Sequence, residues 1–188
     1  MRKLLFGLTV LICFSFSVQA AEVAGVNLPE KITLEGSSEQ LQLNGAGIRK
    51  KFFFKVYVGS LYLGSKSSET DKIINQPGAK RVQMNFLYDE VSAEKINGAW
   101  ADGLADNHSE KQLVALKEPL AKFQSFFGDT VKGDVYLIDY VPGKGTVVSI
   151  NGQLKGSIPG ENFYKALLTI WIGESPITSS LKNAMLGK

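Results

Sequence analysis

The stretch that most restricts the fold is Leu41-Gln42-Leu43-Asn44-Gly45-Ala46-Gly47-Ile48-Arg49-Lys50-Lys51-Phe52-Phe53-Phe54-Lys55-Val56-Tyr57-Val58-Gly59-Ser60-Leu61-Tyr62-Leu63. From Ile48 to Leu63 it is rich in aromatic and β-branched residues and lacks a helical period, which predicts one long strand. Gly45 and Gly47 can take positive φ and predict a tight turn or a bulge at the strand's entrance. Gln40 to Asn44 would then pair back across the glycines as a hairpin. On a single pleated strand Phe52, Phe54, Val56, Val58, Ser60 and Tyr62 share one face, which reads as the core face. Arg49, Lys51, Phe53, Lys55, Tyr57, Gly59, Leu61 and Leu63 share the other, a mixed face with cations among apolar groups.

The rest of the chain alternates strand and helix signals. Short strands are predicted at 23–26 and 31–34, a short helix at 69–75, and a strand at 81–88. Ser92 can cap a helix whose buried stripe is Ile96, Ala99, Trp100 and Leu104. Ser109 and Gln112 form a capping-box pattern for the next helix, with Leu113, Leu116, Leu120 and Phe123 as its stripe. Pro119 should kink or split that helix. Strands follow at 135–141, 146–150 and 153–155, with turns at Pro142–Gly145 and Asn151-Gly152. A helix from Glu161 would bury Phe163, Ala166, Leu167, Ile170 and Trp171 and stop at Gly173. A last helix is predicted at 178–185. This order predicts an α+β fold, with a mostly antiparallel sheet and a helical layer on one face.

The chain has 188 residues, the length of one domain preceded by a leader. Arg2 and Lys3 form a basic n-region, and Leu4 to Phe16 an apolar h-region. Val18-Gln19-Ala20 places small residues at a cleavage site. The expectation is a signal peptide over 1–20, a single domain over 21–188, and a periplasmic or secreted location. Cys13 is the only cysteine and lies in the leader, preceded by bulky Ile12 rather than the small residue of a lipid-attachment site. The mature chain therefore has no thiol for a disulfide, a nucleophile or a metal. Without Arg2 and Lys3, 19 basic residues remain against 18 acidic ones, a balance that gives no electrostatic argument for nucleic acid. After Ala20 no apolar run is long enough to span a bilayer.

Gly45-x-Gly47-x-Arg49, followed by Phe54-Lys55-Val56-Tyr57-x-x-Ser60-x-Tyr62, resembles the signature of the chalcone-isomerase-like family. The likeness is strongest to its exported bacterial branch and its plant fatty-acid-binding relatives. A second patch agrees: Ile158-Pro159-Gly160-Glu161-Asn162-Phe163, then Ala166-Leu167-Leu168-x-Ile170-Trp171-Ile172-Gly173, then Pro176 and Leu181. The resemblance spans Val23 to Gly187. It implies an open-faced β-sandwich of chalcone-isomerase type, with a ligand cleft between sheet and helices.

Arg49 is the first candidate for that cleft, because a guanidinium offers a planar donor fork to a carboxylate or phenolate. The resemblance implies that it lines the cleft, and that Tyr57 joins it in holding a fatty-acid carboxylate. On one straight strand the two would lie roughly 26 Å apart, so they can act together only if the stretch bends. Phe53 shares their face. The Phe52–Phe54 run otherwise reads as core. The catalytic members of the family add a threonine, a tyrosine, an asparagine and a C-terminal serine or threonine. Those positions fall at Tyr57, near Ser92, near Ala99 and at Thr178, so only Thr178 is retained.

His108 is the sole histidine and sits in a polar loop, where a solvated role is expected. Neither a zinc site nor any other metal site is predicted, and no phosphate loop or nucleophile elbow points to a cofactor. Two functions remain. One is a non-catalytic binder of a small amphipathic or anionic ligand such as a fatty acid, with Arg49, Tyr57, Phe53 and Thr178 as candidate contacts. The other is an isomerase or intramolecular lyase acting on an enone-like substrate. A deep apolar cavity ending at Arg49 would favour the first, and a short polar cleft the second.

Overall fold

A computed structural model describes residues 20–188. The expected signal sequence up to Gln19, with Cys13, lies outside the described residues. Seven strands form one antiparallel sheet, in the spatial order β11-β10-β9-β6-β5-β4-β3. They are β3 (Lys31–Thr33), β4 (Gln40–Lys51), β5 (Phe54–Leu63), β6 (Lys80–Phe86), β9 (Val135–Val141), β10 (Gly145–Ile150) and β11 (Gln153–Ile158). Two ribbons stand beside it: β1 (Ala20–Val23) with β2 (Val26–Pro29), and β7 (Glu90–Val91) with β8 (Thr130–Val131). The helices are α1 (Thr70–Asn75), α2 (Ala93–Ala105), α3 (Glu110–Gln124), α4 (Asn162–Ile172) and α5 (Ser179–Met185). The fold is α+β, as the alternation of signals requires. Among the described residues no helix is long and apolar enough to cross a membrane.

The main core lies between the sheet and the helices. Tyr57, Leu61, Met84, Phe86, Tyr136 and Ile138 meet Trp100, Phe123, Phe163, Leu167, Ile170 and Trp171 there. α4 is buried almost all round, including Tyr164, Leu168 and Ile172 outside its expected stripe. A helix apolar on every side belongs in the middle of a layer. α3 is the opposite case, with Phe123 its one fully buried residue. It runs through Pro119 as a single element, and the expected split does not occur. Proline removes the bond to the carbonyl of Ala115, and Ala115 is exposed to water that can replace it. The far face of the sheet carries a second cluster, in which Leu41, Val58 and Tyr62 pack with Leu28 and Leu34 under the β1–β2 ribbon.

The predicted single strand over 48–63 is two strands. β4 ends at Lys51, the chain turns at Phe52-Phe53, and β5 returns antiparallel, with Lys51 opposite Phe54 and Arg49 opposite Tyr57. The turn is therefore at the phenylalanines and not at the glycines. Phe52 adopts φ 55°, a conformation that composition does not announce for a phenylalanine. Gly45 and Gly47 lie within β4, where the register shifts between Leu43 and Gly45, a bulge of the kind expected there. Their lack of side chains serves close packing: a Cβ at Gly45 would collide with the Ala184 carbonyl of α5, and one at Gly47 would stand 2.5 Å from the Ala184 Cβ.

The expected core face of β5 is also corrected. Val56 is an extra residue between the Lys50–Lys55 and Arg49–Tyr57 pairs. Such a bulge breaks the two-residue alternation, so Val56 and its neighbour Tyr57 both join the helix-side core, whereas Val58 and Tyr62 pack behind the sheet. Phe52, Phe53 and Phe54 are not core; all three are exposed at the hairpin tip.

Candidate functional site

Between the tip half of the β4–β5 hairpin, β6, α2 and α4 lies a cavity of about 240 Å3. Its inner wall is apolar, formed by Val56, Met84, Phe86, Ile96, Trp100 and Ile170. All six are buried. Its mouth is charged and aromatic, with Phe52, Phe54 and Tyr88 beside Lys51, Glu90 and Lys95. An open groove of about 580 Å3 continues outward over α2 past Ala99 and Asp102. Arg49 lines both the cavity and the groove, so it stands at their junction.

The turn at Phe52-Phe53 brings Arg49 and Tyr57 together. The two residues face each other across the ladder, and the guanidinium carbon lies 5.9 Å from the centre of the Tyr57 ring. That distance is within reach of a cation–π contact. The Arg49 Nε is buried and has no hydrogen-bond acceptor among the described residues. A buried donor of this kind favours a ligand that brings an acceptor.

Tyr57 is 4 % exposed, and Trp171 Nε1 donates to its hydroxyl oxygen at 3.0 Å. With an acceptor site of that oxygen taken, the phenolic hydrogen is directed to donate elsewhere. Burial pushes the Tyr57 pKa up to about 12, against the opposing effects of the Arg49 charge and the Trp171 hydrogen bond. The hydroxyl is therefore neutral at neutral pH and available as a donor, beside a permanent cation. Such a pair can take one carboxylate oxygen each.

The other two candidates lie apart. Phe53 is 81 % exposed at the tip and packs on Phe54, with ring centres 4.3 Å apart. Thr178 caps α5 by accepting from the Leu181 N–H; its neighbour Ile177, not Thr178, lines the cavity. Ser92 caps α2, and Ala99 presents only a methyl group to the cavity. His108 is half-buried rather than solvated, with Nε2 3.1 Å from Thr169 Oγ1 on α4, and it does not line the cavity.

Three residues of the site escaped the sequence reading. Lys51 shares the Arg49 face and had a signal in its parity. Lys95 lies one helical turn before Ala99, which places both on one side of α2. Trp171 was legible as buried but not as the donor to Tyr57, because a contact across 114 positions leaves no local trace.

Residues 20–187 match the sequence profile of the family described as chalcone isomerase-like. Among solved structures the chain is similar to the fatty-acid binding protein AtFAP1 of Arabidopsis thaliana, with a TM-score of 0.71. The alignment covers 89 % of this chain and 96 % of that one at 16 % identity, a likeness of fold. No curated protein sequence matches the chain.

Proposed function

The chain belongs to the chalcone isomerase-like family, and on that premise we propose that it is an exported, non-catalytic binder of an amphipathic carboxylate of the fatty-acid kind. One observation carries the reading: Arg49 and Tyr57 are paired across the hairpin and both line a cavity whose inner wall is apolar. A carboxylate can accept charge-assisted bonds there while an alkyl chain lies against Met84, Phe86, Trp100 and Ile170. At about 240 Å3 the cavity falls below the ~300–1,000 Å3 that ligand sites usually enclose, which suits a narrow chain better than a fused ring system.

The catalytic alternative is poorly supplied. An enone reacting in this cavity would meet the Ala99 methyl where the resemblance places an amide in catalytic members. The Thr178 hydroxyl is engaged as a helix cap. The exported branch and the periplasmic location rest on the basic and apolar segments before Ala20. Intact-mass measurement of the exported protein should find Ala21 as the first residue; a mass that retains residues 1–20 would make the segment an anchor.

The binding test is a titration of wild type and Arg49→Gln with a long-chain fatty acid and with the matching alcohol. Wild type should prefer the acid. Arg49→Gln should weaken acid binding by about tenfold to a hundredfold, the equivalent of about 1.5–3 kcal/mol for a charge-assisted bond. Arg49→Lys should recover only part, because an ammonium lacks the planar fork. Equal affinity for acid and alcohol would remove Arg49 as the anchor.

A further inference from the structure

The tip of the β4–β5 hairpin is built against its own stability. Phe52 and Phe53 are 86 % and 81 % exposed, and Phe54 is 44 % exposed. Tyr88 meets Phe54 edge-on, with ring centres 5.4 Å apart, and extends the patch. Tight turns normally recruit glycine or asparagine where φ is positive, yet Phe52 holds φ 55°. A bulky ring is thus kept in a backbone conformation it disfavours and in contact with water.

The charges around the tip are arranged with equal bias. Lys50 and Lys55 face each other across the hairpin, and Lys51 adjoins the turn; all three are exposed. No acidic residue occurs in the chain between Glu39 and Glu69, so the hairpin itself is purely cationic. The carboxylates nearest the cavity mouth in the chain are Asp89 in the bend before β7, Glu90 in β7 and Glu94 in the first turn of α2.

We propose that this tip docks on a lipid bilayer bearing anionic headgroups, with Phe52, Phe53 and Phe54 in the interface and the lysines on the phosphates. Aromatic rings favour the boundary between headgroups and acyl chains, and lysine stems can lie along it while their ammonium groups reach the headgroups. Each cation near such a surface adds attraction that salt screens. Phe52 and Phe54 also line the cavity mouth, so docking turns the mouth toward the membrane. A lipid surface supplies both an apolar medium for the rings and a source of chains for the cavity. The second half of that statement rests on the fatty-acid reading; the docking itself does not.

The test is flotation of the full mature chain with phosphatidylcholine vesicles, with and without phosphatidylglycerol, at low and high salt, and with no fatty acid added. Wild type should float with the anionic vesicles, and high salt should weaken the association. Phe52→Gly combined with Phe53→Ser, and separately Lys50→Glu combined with Lys55→Glu, should each weaken it by about tenfold or more. Circular dichroism confirms that each variant is folded, and the charge pair stands as an independent test of the aromatic pair. Wild type that fails to float with either vesicle overturns the proposal, as do folded variants that float like wild type. A wild-type dimer dissolved by the tip variants, without vesicle binding, would assign the patch to self-association instead. The fatty-acid titration is done without vesicles, so loss of one activity with retention of the other shows which reading has failed.

Discussion

The two ends of the β4–β5 hairpin share a ladder and almost nothing else. At the inner end the backbone is clasped. α5 lies directly on Gly45 and Gly47, and Leu181 reaches Gly59. The Asn44 amide donates to the Met185 carbonyl at 2.8 Å and to the Ser67 carbonyl at 2.9 Å. Side chains have been removed there so that a helix can approach the sheet. At the outer end the side chains are large, the contacts few, and one backbone angle is strained. Arg49 and Tyr57 lie between the two regimes, held by the rigid part and facing the cavity that opens beside the exposed part. The contrast separates residues that maintain the fold from residues whose placement makes sense only with something outside the chain.

If the inner half is the structural half, its disruption should be costly. The largest effect is expected in the helical layer against which the hairpin packs, at Trp171, which is fully buried, meets Trp100 with ring centres 5.8 Å apart, and fixes the Tyr57 hydroxyl. Trp171→Ala should lose about 3–5 kcal/mol in denaturant melts, from burial and the cavity left behind. A loss below about 1 kcal/mol would mean that α4 is not the centre of the core. Gly45→Ala should come next. Its new methyl collides with the Ala184 carbonyl, a backbone atom that cannot rotate away, so β4 and α5 must separate. Overpacking of this kind costs about 1–3 kcal/mol. A neutral result would show that α5 is loosely held and that the glycines serve something other than its approach.

Much of the helical layer was legible in the sequence. Ser92 caps α2 as its spacing suggests, the Ser109–Gln112 capping box is present, and both tryptophans are buried on the predicted stripes. Local chemistry of that sort acts over three or four residues and is written locally. The break in the 48–63 run was not legible. A phenylalanine pair has strand composition, and nothing nearby marks a turn; the fold imposes φ 55° on Phe52 through the pairing of the flanking strands. Missing the turn also hid the bulge at Val56, and with it the side of the sheet on which Val58 and Tyr62 pack. The Arg49–Tyr57 pair could be named from family resemblance, but its geometry depended on that same turn.

The smallest effect, and the one most particular to the comparison, concerns Phe52. A non-glycine residue in the left-handed region costs roughly 1–2 kcal/mol. Glycine would relieve that strain and lose little packing, since the Phe52 side chain is 86 % exposed. Against this, glycine gives the unfolded chain more freedom, worth about 0.5–1 kcal/mol in the opposite direction. The balance runs from about zero to a gain of about 1.5 kcal/mol, so Phe52→Gly should melt at or slightly above wild type. The sign is the informative part. Replacing an aromatic residue by glycine in the clasped half would destabilise strongly, because packing is lost there without any strain to relieve. A drop of more than about 1 kcal/mol for Phe52→Gly would mean that the tip is held by contacts of its own. The division of the hairpin into a structural half and an outward-facing half would then fail.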